Sequence, residues 1–195
     1  HLVIRRQRQM CIRDRYRVAE RLLKPRGLYQ EIISEELNPV LRLGNAVLVG
    51  LDSTTPRRSI TNGRIDPHQL DLCRDAFEHA ADDAVRIIVA HHHFVPAPED
   101  HPGRRMQKAQ RAIDHFVDLG VEMILGGHLH RAYIGNSLDF YPGNHRDRGI
   151  IIVQCGTSTS SRGRSTETDK NTLNVIDIGH ETVSYTHLRA HETVV

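Results

Sequence analysis

The decapeptide Val121-Glu122-Met123-Ile124-Leu125-Gly126-Gly127-His128-Leu129-His130 decides how the rest of the chain is read. A short apolar run ending in Gly-Gly predicts a buried strand that enters a tight loop. The two histidines that follow sit at i and i+2, a spacing that lets both imidazoles reach one small volume. Neutral imidazole is the commonest side-chain ligand for a borderline transition metal. His-x-His alone is a short motif, and short motifs mislead. A second cluster, His91-His92-His93, also follows an apolar run, Val85 to Ala90. Two buried strands that both end in histidines predict one site at the carboxyl edge of a sheet, where α/β proteins place their ligands.

Working outward, Asp66-Pro67 predicts a helix start, with Asp as N-cap and Pro at the first helical position. Leu70, Cys73, Phe77 and Ala80 share one face, which puts Cys73 in the core. A further helix is expected from about Arg104 to Leu119, with Met106, Ala109, Ile113, Phe116 and Val117 as its apolar stripe and Gly120 closing it. Val40 to Leu43 and Ala46 to Leu51 flank Gly44-Asn45 and predict a hairpin. Residues 16–37 carry a helical pattern broken near Pro25 and Gly27 and stopped at Asn38-Pro39. Ile150 to Val153 and Leu173 to Ile178 are further strands. Strand, helix, strand, helix, strand makes an α/β layered domain, and the more purely β character after His130 predicts a mixed sheet.

The chain has 195 residues, enough for one domain with a sizeable core. It holds no apolar run long enough to span a bilayer and no signal-peptide pattern. Three cysteines without a Cys-x-x-Cys pair give no disulfide framework and no thiolate metal site. A cytoplasmic location is the expectation.

The two ends stand apart. Met10-Cys11-Ile12-Arg13-Asp14 can be encoded by atg tgt ata aga gac, whose reverse complement encodes Val183-Ser184-Tyr185-Thr186-His187. The ends resemble one transposon-type sequencing adaptor read in opposite directions. Residues 1–15 and 183–195 are therefore expected to be adaptor-derived and non-native, leaving 16–182 as the protein proper. Residues 1–15 hold five arginines against Asp14, a net of +4, and residues 183–195 are neutral. The overall +2 thus becomes −2 for residues 16–182. The basic arm that would suggest nucleic-acid binding falls away.

Together, Gly50-Leu51-Asp52-Ser53, His91-His92-His93, Gly127-His128-Leu129-His130 and Gln154-Cys155-Gly156-Thr157, with Ser160, Arg162 and Asn174 beyond, resemble the calcineurin-like metallophosphoesterases. Within that family the cyclic-nucleotide phosphodiesterase-like branch is nearest in look. The resemblance implies an α/β fold, a sandwich of two mixed β-sheets flanked by helices. It implies His91, His128 and His130 as metal ligands. His92 is the candidate catalytic group, bonding substrate phosphate or orienting His91; the alternative is that it only lines the loop. The resemblance implies two divalent ions in the intact parent (manganese, iron or zinc) and a small phosphoester substrate, with no nucleic acid and no membrane as partner. The family's Gly-Asp-x-x-Asp occurs nowhere before residue 91, and Asp-x-His occurs there only as Asp66-Pro67-His68, where Asp66 is read as a helix N-cap and His68 as a surface residue. Residues 16–182 are then expected to be the C-terminal part of such a domain, inactive as given. A non-catalytic interaction scaffold with a degenerate site is the alternative on the same fold.

Gly143-Asn144-His145 looks like the family's Gly-Asn-His but follows Gly-His-x-His instead of preceding it, and is read as a solvent-exposed turn. Asp52 is read as a strand-end cap. Arg131, Arg162, Arg164, His68, His79, His101, His115 and His180 are expected at the surface. Residues 55–65 and 94–104 are the loops expected to set specificity.

Overall fold

The computed structural model describes residues 23–55, 62–96, 105–143, 148–157, 171–179 and 183–190. Among them, a six-stranded sheet is built from β1 (Val40–Leu43), β2 (Ala46–Leu51), β3 (Val85–Ala90), β4 (Met123–Gly126), β5 (Tyr133–Asn136) and β6 (Ile151–Gln154). Its order is β1-β2-β3-β4-β6-β5. The four inner strands run parallel, and β1 and β5 close the two edges antiparallel. The sheet is mixed, as the sequence predicts. β2 and β3 are almost continuously buried, the pattern of strands covered on both faces.

Two helices, α2 (Pro67–Glu78) and α3 (Ala109–Asp118), form the crossovers between β2, β3 and β4. Successive crossovers in one direction, with a constant hand, place both helices on the same face. There Cys73, Phe77, Ile113 and Phe116 pack on Val47, Val49, Ile88, Ile124 and Ile152. The opposite face, Ala46, Val85, Ile87, Val89, Met123 and Val153, is covered by Ile176, Ile178 and Tyr185. Those three belong to an antiparallel ribbon of β7 (Asn171–Ile178) and β8 (Val183–Ala190). The second sheet is thus a two-stranded antiparallel pair.

Local chemistry explains most boundaries. Gly44 is left-handed at φ 52, in the first place of the two-residue β1–β2 loop, where a tight hairpin turn favours glycine. Asp66 N–H donates to Gln69 Oε1 at 2.9 Å, which closes a capping box around Pro67. At the end of α3, Val121 N–H donates to Phe116 O and Gly120 N–H to Val117 O, both at 2.9 Å. With Gly120 at φ 69, this is a Schellman cap. From β1, the Arg42 guanidinium donates to the C-terminal carbonyls of α2, Ala76 O at 2.9 Å and His79 O at 3.3 Å.

Several expectations are corrected. The helix expected from Arg104 begins at Ala109. Met106 N–H donates to His93 O at 3.1 Å and Gln107 N–H to Gly63 O at 3.2 Å, so tertiary bonds pull this backbone out of the helix. Lys108, left-handed at φ 57, turns the chain into α3. Of the 16–37 stretch, residues 23–37 are described; they hold α1 (Gly27–Ile32), which buries none of its residues. β5 is an additional edge strand. Its outward-facing Ile134 and short length give no periodic signal. Residues 183–190, set aside as non-native, pair with β7 across a full eight-residue register. No described helix is long and apolar enough to cross a membrane.

Cys73 lies in the core as expected, and burial pushes its thiol from 9.0 up to about 12. The unfolded chain sheds this proton near pH 9, whereas the folded chain keeps it to about 12. Between those values the folded state binds more protons, so stability falls as pH rises, by up to about 1.4 kcal/mol per unit. Urea unfolding between pH 8 and 10.5 should show a steeper fall for the wild type than for Cys73→Ala. Equal slopes would mean that burial does not perturb the thiol.

Candidate metal centre

The parallel register fixes which residues meet. Val89 pairs with Leu125, and Leu51 with Ala90. The chain leaves β2 at Asp52-Ser53, β3 at His91-His92-His93 and β4 at Gly127-His128, all at the same sheet edge. Gly127 N–H donates to His91 O at 3.3 Å and so ties the two histidine segments together.

His91, His92 and His128 converge, each offering a ring nitrogen within 4.8 Å of the others. His91 Nε2 and His128 Nδ1 lie 3.0 Å apart. Two nitrogens about 2.05 Å from one tetrahedral zinc would be about 3.3 Å apart. At 3.0 Å the pair is hydrogen-bonded, one imidazole N–H donating to the other, and lies about 0.3 Å inside that separation. The His92 ring centroid is 4.8 Å from that of His128 and 5.0 Å from that of His91. His93 stacks on His128, with centroids 5.6 Å apart and planes at 14°. His91, His92 and His93 are all buried, and His128 is half-buried. His130 is half-buried and left-handed at φ 56, and it is not one of the three converging residues.

Side-chain contacts from neighbouring segments tie this edge down. Tyr133 Oη donates to Val95 O at 3.2 Å and Tyr141 Oη to Phe94 O at 2.9 Å, which fastens the segment after His93. Gln154, fully buried at the end of β6, fills the space over Gly126. A Cβ at position 126 would come within 2.1 Å of Gln154 Nε2. Asn174 joins the ribbon to this edge by donating to Gln154 O at 3.2 Å, while its Oδ1 accepts from Tyr185 Oη at 2.9 Å.

Asp52 has the capping role read from the sequence. Its Oδ1 accepts from Thr54 N–H at 3.0 Å and Thr54 Oγ1 at 2.6 Å, and its Oδ2 pairs with Arg26. Asn38 Oδ1 accepts the Asp52 N–H at 2.9 Å and the Gln69 amide at 2.7 Å. Sequence reading gave Ser53, Gly63 and Arg26 no role. Their partners are distant in the chain, and only the Gly-Leu-Asp-Ser stretch hinted at them. His68 and His79 are exposed as expected. His115 is half-buried, with Nε2 3.2 Å from Leu70 O, which corrects its surface reading. Arg131 is also half-buried. His101, His145, Arg162, Arg164 and His180 lie outside the described residues, as do 56–61 and 97–104 of the two specificity loops. A groove of about 290 Å³ between α2 and α3, lined by Leu70, Arg74, Arg111 and Asp118 among others, includes none of the converging histidines.

No family model matches the chain, and no curated protein matches it. A solved structure described as "Structure of PhoD" is similar at 11% identity with a TM-score of 0.47. The match covers 62% of this chain and 28% of that one, so the chain spans under a third of that protein's length.

If Asp52 is a cap, its loss should cost stability and spare the metal centre. Asp52→Ala is expected to lower the unfolding free energy by about 2 kcal/mol, the scale of hydrogen bonds to a charged group. Metal affinity measured by calorimetry should stay within about threefold of wild type, less than the roughly tenfold minimum of an outer-shell defect. A larger drop in affinity would make Asp52 part of the centre.

Proposed function

We propose that the chain is part of a metal-dependent phosphoesterase of the calcineurin-like metallophosphoesterase class, hydrolysing a phosphomonoester or phosphodiester. The observation that carries the reading is the convergence of three imidazoles from two strand ends, with His91 Nε2 and His128 Nδ1 only 3.0 Å apart. In this reading residues 16–182 are the C-terminal part of a domain whose full fold is a sandwich of two mixed sheets.

His91 and His128 would hold one divalent ion, with His92 beside them, and His130 would serve the second ion. Divalent ions held there would supply an activated water and charge neutralisation for phosphoryl transfer. The chain's own contribution is positional. His91 and His92 are buried at a strand end, and the segment after His93 is fastened by Tyr133 and Tyr141. Manganese, iron and zinc all suit such donors, with availability deciding among them.

The test uses this segment within its longer reading frame, with excess manganese and a chromogenic phosphodiester or phosphomonoester. Turnover is expected, and His128→Ala should lower kcat by more than the roughly 10–100-fold of an outer-shell defect. The 195 residues alone should show no turnover above that variant. Activity of the longer protein that is indifferent to His91 and His128 would overturn the proposal.

A further inference from the structure

We propose that Ser53 and Gly63 are positioning residues of this centre, holding the His92 imidazole so that Nε2 is the nitrogen it presents beside His91 and His128. The inference rests on the metal-centre reading and adds to it a ligand atom and the two residues that aim it.

His92 is buried, and Ser53 is completely so. Ser53 Oγ lies 2.8 Å from His92 Nδ1 and also accepts the His92 backbone N–H at 3.2 Å. One hydroxyl therefore grips both the ring and the backbone of the same residue. Because Nδ1 is bonded to Ser53 Oγ, Nε2 is the ring nitrogen assigned to the centre. When Nδ1–H donates to Ser53 Oγ, the lone pair sits on Nε2. This is the tautomer that an outer-shell acceptor imposes on a metal-ligating histidine.

Gly63 acts on the face of the same ring. A Cβ there would stand 2.4 Å from His92 Cγ, 2.5 Å from Nδ1 and 2.6 Å from Ser53 O. Gly63 is also left-handed at φ 64, so two separate constraints require glycine. Its backbone is pinned on both sides. Arg64 N–H donates to Ser53 O at 3.0 Å, and Gln107 N–H donates to Gly63 O at 3.2 Å. The ring lies between a fixed hydroxyl and a bare stretch of backbone, which leaves little room for a second orientation.

The experiment uses the 195-residue chain with nitrogen-15-labelled histidine, and cobalt(II) as the metal probe. Long-range proton–nitrogen spectra of the metal-free protein should show His92 protonated at Nδ1 and bare at Nε2. An Nε2–H tautomer, or a ring averaging between the two, would overturn the proposal even if every variant failed to fold. In folded variants, Ser53→Ala and Gly63→Ala should lose that signature and bind cobalt(II) about 10–100-fold more weakly. Ser53→Thr, which keeps the hydroxyl, should retain most of the affinity. Wild-type binding that is unchanged by Ser53→Ala overturns this proposal alone. A wild type that binds no cobalt(II) overturns the metal-centre reading beneath it.

Discussion

The parallel ladder between β3 and β4 is the constraint on which the site depends. Three register pairs, Ile87 with Met123, Ile88 with Ile124 and Val89 with Leu125, set where each strand stops. A shift of one residue would reverse every side chain on β4. It would turn Ile124 away from the helices and Met123 away from the ribbon, and carry His128 off His91. Burial enforces the register, because both faces of the sheet are apolar and covered. Each fully buried aliphatic side chain contributes about 1.5–3 kcal/mol relative to exposure. A slipped strand therefore forfeits several such contributions at once. The same packing that stabilises the sheet delivers the histidines to one edge.

What the sequence made legible follows from this. β2 and β3 are read to the residue because nearly continuous apolar runs, bounded by turn residues, leave one interpretation. The convergence of His91 and His128 was foreseeable because both leave buried strands within a strand–helix–strand unit. The start of α3 was not legible, since bonds from Met106 and Gln107 to partners more than ten residues away override a helical stripe. The surroundings of the His92 ring were not legible, because the residues against it, Ser53 and Gly63, lie 39 and 29 positions upstream.

The charge of the cluster bears on what it can hold. Three neutral imidazoles with an open position suit one dication, as in three-histidine zinc sites. A second dication about 4 Å away would meet a repulsion of roughly 17 kcal/mol at an effective dielectric of about 20. Imidazoles supply no negative charge to offset it, so a two-ion centre requires carboxylates. The carboxylate at the end of β2, Asp52, is committed to Arg26 and Thr54. Among the described residues, no Asp or Glu joins the three converging histidines. The first ion can rest on His91 and His128, with His92 held by its serine. A second ion would need anionic ligands beyond this cluster, and so would the proposed two-metal chemistry.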